Sequence, residues 1–202
     1  MNWIERLPEI KGKDPYAQNG EGIILEYIAE HVGQRRPIMF DIGSGDGFIL
    51  SNSKYLRLLG YKVAYWEKEN GTPINLENCL THGDHPFIIS IDIDGNDYWI
   101  LEKMLPHYKP EIVIAEFNPA FTDSRAIKYN PDHVWNGDDY YGFSFEAGVK
   151  LAEGFGYKVI FQVADMNMIL VRADLINVPV PPVTFKQNDF FAKSNRADWV
   201  MI

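Results

Sequence analysis

The sequence contains a single cysteine, Cys79, among its 202 residues. One cysteine excludes an intrachain disulfide framework and any zinc site built from several thiolates. No stretch reaches the roughly 20 consecutive apolar residues that a membrane-spanning helix needs. The first eight residues carry charges where a secretory signal peptide would need an apolar run. We therefore expect a cytoplasmic protein with no membrane partner.

Positive charge is also scarce. Lysine and arginine together number 19 against 28 aspartates and glutamates, so the formal net charge is −9. No stripe of basic residues runs along any segment, and an acidic surface repels the phosphate backbone of nucleic acids. We therefore expect no nucleic-acid partner.

Internal repeats and low-complexity linkers are absent too, which predicts a single domain over residues 1–202. Residues 1–19 form an N-terminal segment, residues 118–143 a long loop of the kind that often carries function, and residues 173–202 a C-terminal extension. The aromatic residues of the extension would pack either on the chain's own core or on a second subunit. A homodimer is one expected arrangement.

Short apolar runs alternate with amphipathic segments along most of the chain. The runs predict strands over 38–42, 61–66, 87–92, 111–117, 157–163 and 167–172. Helices are predicted over about 20–32, 49–59, 72–80, 97–105 and 144–155. Apolar strands that alternate with helices indicate an α/β fold with a doubly wound, mostly parallel sheet. The last two strands are three residues apart, so the sheet is expected to end in an antiparallel hairpin.

A glycine-rich turn, Asp41-Ile42-Gly43-Ser44-Gly45-Asp46-Gly47, follows the first predicted strand. Glycines there permit a tight turn and let a ligand approach backbone N–H groups beside a helix N-terminus. The G-x-G-x-G spacing differs from the G-x-G-x-x-G of dinucleotide sites. The acid at Asp41 suits a ligand with an amino group, such as S-adenosylmethionine. Glu67, at the end of the second strand, is placed to accept hydrogen bonds from a ribose diol.

Carboxylates and an amide follow the next two strands of the predicted sheet. Asp92 lies at the end of one predicted strand and Asp94 just beyond it, and Glu116 lies at the end of the next strand with Asn118 just beyond it. Parallel strands bring their carboxyl ends to one edge, where so much buried negative charge requires a cation or hydrogen bonds. Such oxygen ligands suit Mg²⁺ or Ca²⁺. The candidate catalytic residues are Asp92, Asp94, Glu116 and Asn118, and the candidate metal ligands are Asp94, Glu116 and Asn118.

Two neighbouring features admit two interpretations each. Asp97 either serves the same site or is a charge at a helix N-terminus that interacts with the helix dipole, and we favour the dipole. The loop over 132–142 either covers a polyhydroxylated or amine-bearing substrate or packs on the core through Trp135 and Tyr141. His133 in this loop could act as a general base, although a lone loop histidine is more often solvated.

The order of these blocks over residues 16–172 resembles the FkbM-like branch of class I S-adenosylmethionine-dependent methyltransferases. The blocks are Ala17–Gly22, Phe40–Gly47, Ser90–Trp99, Val113–Asn118 and Asn167–Arg172. The resemblance implies a Rossmann-like methyltransferase fold with S-adenosylmethionine as cofactor and Gln18 near its methionine end. The cofactor-binding residues that it implies are Gln18, Asp41, Gly43, Ser44, Gly45, Glu67 and Asp92.

One segment departs from that family. Only nineteen residues lie between Glu67 and Phe87, where the family places a helix, an edge strand and the group that binds adenine. Either the sheet lacks one edge strand or its adenine side is more open. Asn75, Glu77 and His82 are the candidate replacements.

The leading hypothesis is therefore an S-adenosylmethionine-dependent methyltransferase that methylates an oxygen of a small-molecule or glycan acceptor. Asp92 or Asp94 would act as the base, or Mg²⁺ would lower the pKa of the acceptor hydroxyl. The alternative is a non-catalytic module that binds a ligand or a partner on a shortened methyltransferase fold. A nicotinamide-dependent oxidoreductase is disfavoured by the glycine spacing and by the terminal hairpin.

Overall fold

The computed structural model describes residues 1–202 except 11, 13, 34–36, 46, 48–49, 67–73 and 75–78. In the described residues the helices are α1 (Glu21–Val32), α2 (Lys54–Leu58), α3 (Asp97–Tyr108) and α4 (Phe145–Gly154). The strands are β1 (Ile38–Ile42), β2 (Lys62–Trp66), β3 (Ile88–Ile91), β4 (Ile112–Glu116), β5 (Arg125–Ala126), β6 (Tyr157–Val163), β7 (Asn167–Arg172) and β8 (Val200–Met201). None of the described helices is long and apolar enough to span a membrane.

Six of these strands form one sheet in the order β2-β1-β3-β4-β7-β6. The first four run parallel to one another, whereas β7 is antiparallel to both β4 and β6. The predicted mostly parallel sheet with a terminal antiparallel hairpin is therefore confirmed. β5 and β8 form a separate antiparallel pair that the sequence did not predict.

Helices cover both faces of the six-stranded sheet, which makes it doubly wound. On one face, here called the α1 face, residues of α1 such as Leu25 and Ile28 pack with Ile88 and Ile114. On the opposite face, residues of α3 and α4 pack with Phe40, Ile89, Val113 and Leu170. Successive strand residues point to opposite faces, so the two cores take alternate positions of each strand.

Two helices differ in length from the sequence prediction. α2 begins at Lys54, because the described part of the chain before it includes Leu50 with a left-handed φ of 57°. α3 continues through Pro106 to Tyr108, although proline removes a backbone donor. The buried Tyr108 hydroxyl donates to the Cys79 carbonyl oxygen at 2.9 Å, so a tertiary contact stabilises the last turn.

The predicted helix over 72–80 lies almost entirely outside the described residues. So does most of the segment where an additional edge strand would lie. Whether the sheet lacks one edge strand therefore stays a prediction.

The C-terminal residues pack on the chain's own 118–143 loop. The N–H of Asn188 donates to the Pro119 carbonyl oxygen at 3.1 Å, and the N–H of Asp139 donates to the Ala192 carbonyl oxygen at 3.0 Å. Pairing of β8 with β5 closes the same layer. Phe185, Phe191 and Trp199 of this extension contact other aromatic rings of the chain, whereas Phe190 is 46% exposed. The homodimer stays a prediction.

Candidate functional site

Polar side chains gather on the α1 face at the carboxyl edge of the sheet. Met39, Ile88 and Ile114 belong to the core on the α1 face. Because side chains alternate along a strand, Asp41 lies on the same face as Met39, and Glu116 on the same face as Ile114. Asp41 and Glu116 therefore lie on the α1 face at the carboxyl ends of their strands, which is where parallel sheets bind ligands.

The turn after β1 is held against the end of β3. The N–H of Gly43 donates to the Trp66 carbonyl oxygen at 2.9 Å, and the N–H of Asp92 donates to the Ile42 carbonyl oxygen at 2.9 Å. Gly43 has a φ of 90°, and a Cβ there would lie 1.7 Å from the Asp92 carbonyl oxygen. Only glycine fits this position.

The rest of the turn is more open. Gly45 is exposed with a φ of 65°, and no atom of the described residues lies within 4 Å of where its Cβ would be. Ser44 is 9% exposed and accepts a hydrogen bond at its carbonyl oxygen from the N–H of Gly47. Asp41 is buried. The turn thus combines a tight end against Asp92 with an accessible end at Gly45.

Three carboxyl groups, those of Asp92, Asp94 and Glu116, form what we call the acidic edge. The parallel register pairs Ile91 of β3 with Ala115 of β4, so the next position on each strand carries Asp92 and Glu116. One oxygen atom from each of the three side chains lies within 4.8 Å of the other two. The sequence prediction that these carboxylates meet is confirmed.

Two carboxyl groups of the acidic edge, those of Asp92 and Glu116, hold protons more tightly than free carboxylates do. Burial, reinforced by the charges of Asp97 and Asp94, raises the pKa of Asp92 to about 7. Burial and the charge of Asp92 raise the pKa of Glu116 well above its ordinary value. Each of the two groups therefore opposes ionisation of the other.

Asp97 shapes the turn that carries Asp94. Its carboxylate accepts hydrogen bonds from the N–H of Ile93 at 2.9 Å and from the N–H of Gly95 at 2.8 Å. Burial raises its pKa to about 6 in spite of these bonds. Asp94 adopts a left-handed φ of 53° at the tip of this turn. Beyond the predicted position at a helix N-terminus, Asp97 therefore stabilises the backbone that presents Asp94.

The 118–143 loop is fixed to this turn by hydrogen bonds. Asn96 and Asn130 are joined twice, by the Asn96 side-chain amide to the Asn130 carbonyl oxygen at 2.7 Å and by the Asn130 N–H to Asn96 Oδ1 at 3.1 Å. Trp99 Nε1 donates to the Ile127 carbonyl oxygen at 2.8 Å. The loop is thus a fixed wall of the site.

Asn118 acts as a second anchor of the loop. Its Nδ2 donates to the carbonyl oxygens of Asp139 at 2.9 Å and Tyr141 at 3.1 Å, and its Oδ1 accepts from the Ala120 N–H. These bonds occupy both amide donors and leave capacity only on Oδ1. The structure thus places Asn118 two residues beyond Glu116 but uses its amide to hold the loop; its catalytic and metal-ligand roles stay predictions.

His133 and Tyr141 lie in the loop that packs on the Asp94 turn. His133 is 9% exposed, and its Cδ2 would lie 2.6 Å from a Cβ on Gly95 in that turn. Tyr141 is 1% exposed; burial, then the charges of Glu116 and Asp94, raises the pKa of its hydroxyl. His133 is therefore buried rather than solvated, and Tyr141 packs on Trp135 as the simpler interpretation has it. A role of the loop in covering a substrate stays a prediction.

A buried amide on β7 also reaches this region, and sequence analysis missed it. Asn167 pairs with Glu116 across the antiparallel β4–β7 register, and its Nδ2 donates to Glu21 Oε1 at 3.2 Å. Glu21, at the start of α1, also accepts from the N–H of Asn19 at 2.7 Å. The predicted hairpin could have indicated Asn167, because it places the start of β7 opposite the end of β4.

The remaining predicted cofactor residues are located less closely. Glu67, Asn75 and Glu77 lie outside the described residues. Gln18 is exposed and lines a cavity of about 410 Å³ formed with other residues of its own segment. His82 packs edge-on against Trp66, with ring centroids 5.6 Å apart. Their roles as cofactor contacts stay predictions.

The acidic edge has the chemistry of a cation site. Three carboxylate oxygens that converge within 4.8 Å are ligands that Mg²⁺ and Ca²⁺ prefer. Among the predicted metal ligands, Asp94 and Glu116 belong to this group, and Asp92 is its third carboxylate. A ligand role of Asn118 stays a prediction. The donor set fits a divalent ion bound on one side by protein and on the other by a ligand or water.

Comparison with known proteins assigns no family. No protein-family profile matches the chain, and no curated protein matches it. Among solved structures, a candidate hemolysin from Lactococcus lactis is 16% identical with a TM-score of 0.41, covering 79% of this chain and 90% of its own. An O-methyltransferase family protein from Burkholderia thailandensis is 13% identical with a TM-score of 0.36, covering 76% of this chain and 48% of its own.

A third solved structure, a NifS-like protein, is 20% identical with a TM-score of 0.44, covering 90% of this chain and 48% of its own. Proteins of different activities thus give similarly low scores, and the arrangement of strands is the stronger observation. A parallel sheet closed by an antiparallel β7 between β4 and β6 is the outline of the Rossmann-like methyltransferase fold. The chain has that fold, with an acidic carboxyl edge.

Proposed function

We propose that the chain is an S-adenosylmethionine-dependent methyltransferase that methylates an oxygen of a small or carbohydrate-like acceptor. The observation that carries the proposal is the contact between Gly43 and the Asp92 carbonyl oxygen. Because of this contact, a cofactor bound on the glycine turn would lie next to the acidic edge. The finer assignment to the FkbM-like branch rests on the sequence blocks alone.

The residues at the turn fit this cofactor. Asp41 supplies a buried negative charge at the end of β1, which suits the cofactor's amino group. Gly45 leaves open space beside the backbone, so a ligand can approach it closely. Ser44 and Gly43 complete the turn, and Glu67 is proposed for the ribose. The bound cofactor would supply the electrophilic methyl group.

The acidic edge is proposed to accept the proton of the acceptor hydroxyl. Asp97 is committed to two backbone N–H groups, and the pKa of Asp92 is raised by burial and by the neighbouring carboxylates. Asp94, partly exposed at the tip of the turn, is therefore the carboxylate best placed to take the acceptor's proton. Methyl transfer is an in-line displacement, so the fixed loop contributes mainly by positioning the acceptor and excluding water.

The three carboxylates also support a variant of this mechanism in which a divalent ion activates the acceptor. Mg²⁺ held by Asp92, Asp94 and Glu116 would lower the pKa of the acceptor hydroxyl. In that case the three carboxylates would serve as ligands, and the ion would take over the activation that Asp94 otherwise provides. The two variants differ in their need for metal, which makes them separable.

Calorimetric titration with S-adenosylmethionine and its demethylated product, with and without Mg²⁺, tests the proposal. We expect micromolar affinity for both compounds. Tightening by Mg²⁺ only when a hydroxylated acceptor is added would favour the metal-assisted variant. Absence of binding under every condition would refute the methyltransferase and favour the non-catalytic binding module, because the short segment after Glu67 would then have removed the cofactor site.

A further inference from the structure

The hydroxyl of Tyr141 is a buried polar group without a hydrogen-bond partner. The side chain is 1% exposed, and its hydroxyl has no partner among the described residues. Buried polar groups are nearly always hydrogen-bonded, because leaving one unsatisfied destabilises the fold. Because the Tyr141 hydroxyl lies in the wall of the proposed ligand site, we expect its partner to be an atom of the ligand.

The backbone around Tyr141 is fixed to both segments that carry the acidic edge. Its carbonyl oxygen accepts from Asn118 Nδ2 at 3.1 Å, just beyond Glu116. The N–H of Gly142 donates to the Gly95 carbonyl oxygen at 3.1 Å, next to Asp94. Asn118 follows Glu116 and Gly95 follows Asp94 along the chain, so these two bonds hold Tyr141 beside the acidic edge.

The ring of Tyr141 is held as firmly as its backbone. It packs on Trp135 with centroids 5.8 Å apart and meets Phe191 edge-on at 5.6 Å. Phe191 belongs to the C-terminal layer that covers the loop. A ring enclosed by two aromatic neighbours cannot easily turn its hydroxyl toward solvent, so the donor is preorganised.

The preceding tyrosine provides a contrast. Tyr140 is 3% exposed, but its hydroxyl accepts a hydrogen bond from the Lys128 N–H at 3.2 Å. The Tyr140 hydroxyl therefore has a structural partner within the loop. Two adjacent buried tyrosines thus differ in whether the fold itself uses the hydroxyl.

We propose that the Tyr141 hydroxyl donates a hydrogen bond to the hydroxyl oxygen of the acceptor and orients it against the acidic edge. The proposal rests on the methyltransferase function and adds the class of acceptor. An atom between a phenol donor and a carboxylate must accept one hydrogen bond and donate another, as an alcohol does. Negative charge at the acidic edge disfavours anionic acceptors, and the proposed acceptor is an uncharged polyol, such as a neutral sugar.

The step balances with these groups. A lone pair of the acceptor oxygen forms the bond to the methyl carbon, and the carbon–sulfur bond breaks with its electron pair going to sulfur. The hydroxyl proton passes to the Asp94 carboxylate and then to water. Tyr141 keeps its own proton throughout and acts as a positioning donor.

The test compares Tyr141→Phe with the matched control Tyr140→Phe, because each removes a single oxygen atom from a buried ring. The probes are methyl glucoside and methyl mannoside as neutral sugars and glucose phosphate as the anionic counterpart. Binding is measured by calorimetry with the demethylated cofactor present, and cofactor affinity is measured separately. Thermal unfolding of each variant is recorded without ligands.

We expect Tyr141→Phe to lose about tenfold in glycoside affinity, the loss typical of one hydrogen bond, while cofactor affinity changes less than about twofold. Its unfolding temperature should match or exceed that of the unmodified chain, whereas Tyr140→Phe should unfold at a lower temperature and bind glycosides normally. Glucose phosphate should bind more weakly than either glycoside.

Three results would overturn the inference. They are equal glycoside affinity in Tyr141→Phe and the unmodified chain, a loss of stability in Tyr141→Phe as large as in Tyr140→Phe, and no binding of either glycoside by the unmodified chain. Failure of the cofactor to bind would instead refute the methyltransferase function, so the two failures are distinguishable.

Discussion

Gly43 and Asp92 are in backbone contact: the Asp92 carbonyl oxygen occupies the space where residue 43 would otherwise carry a Cβ. The contact joins the end of β1 to the end of β3, and a hydrogen bond from the Asp92 N–H to the Ile42 carbonyl oxygen reinforces it. A shift of the glycine turn therefore shifts Asp92 as well. The proposed cofactor binding on the turn and the proposed proton chemistry at the acidic edge would therefore be mechanically linked.

Substitution of Gly43 tests that contact. In Gly43→Ala the new Cβ would meet the Asp92 carbonyl oxygen at 1.7 Å, in addition to the strain of a φ of 90°. We expect a loss of more than about 3 kcal/mol in the free energy of unfolding by urea, and loss of cofactor binding. Gly60→Ala is the control, because Gly60 has a φ of 101° with nothing within 4 Å. Equal losses in both variants would mean that the contact itself is unimportant.

Asp94→Asn separates cofactor binding from methyl transfer. Asparagine keeps the side-chain volume and tolerates the left-handed φ of 53°, so the turn should stay intact. We expect unchanged affinity for the cofactor and a fall in the rate of methyl transfer of at least about 100-fold, as for a lost general base. Transfer is followed with a methyl-labelled cofactor.

Glu102→Gln is the matched control for that experiment, because Glu102 lies on α3 and pairs with Lys103 away from the acidic edge. It should transfer at the unmodified rate. Full turnover by Asp94→Asn would remove Asp94 from the mechanism.

The acidic edge should make the unliganded chain less stable as pH rises. Folding raises the pKa of Asp92 to about 7 and that of Asp97 to about 6. In an unfolded chain the pKa of each of these carboxyl groups is roughly 3.9. Between these values the folded state binds more protons than the unfolded state, so the free energy of unfolding falls as pH rises. The groups that act on Asp92 are the carboxyls of Asp97, Asp94, Glu116 and Asp41.

Unfolding temperatures recorded between about pH 5 and about pH 8 test this expectation. The chain should unfold at a lower temperature at the higher pH, and Asp92→Asn should reduce the dependence. Asp198, whose pKa is lowered to about 2 by a hydrogen bond from Arg196, is ionised throughout this range and adds no pH dependence. A higher unfolding temperature at about pH 8 would contradict the expectation.

Asn118→Ala should loosen the 118–143 loop. The substitution removes both donors that bind the Asp139 and Tyr141 carbonyl oxygens. We expect a loss of about 1–3 kcal/mol in the free energy of unfolding. Hydrogen exchange should become faster across residues 118–143, as mass spectrometry can measure. Asn136→Ala, at an exposed position of the same loop, is the control and should exchange as the unmodified chain does.

Much of the sheet could be predicted from local pattern. β1, β6 and β7 have the predicted bounds, because each is an apolar run that ends at a glycine, a polar turn or a charged residue. The acidic edge followed from the same prediction, since parallel strands bring their carboxyl ends together. The two-residue strands β5 and β8 were not predictable, because two residues carry no periodicity.

The roles of individual polar side chains were harder to predict. The amide of Asn118 is chemically able to bind a metal ion or a backbone carbonyl, and only the position of the loop decides between them. The sequence leaves the loop that carries Tyr141 between two interpretations, packing on the core and covering a substrate. Whether its hydroxyl has a partner depends on the fold around it, and no sequence pattern records that.

The pairing of β8 with β5 bears on how the chain folds. Arg125 pairs with Met201 and Ala126 with Val200. The C-terminal residues are thus joined to the 118–143 loop through partners about 75 positions apart in sequence. The β6–β7 hairpin, by contrast, joins neighbours along the chain. Distant pairings cost more chain entropy and form slowly. During refolding, we expect the sheet and its carboxylates to assemble before the C-terminal residues pack on the 118–143 loop. A ligand could then bind the partly folded protein and act as a template for the packing of these C-terminal residues.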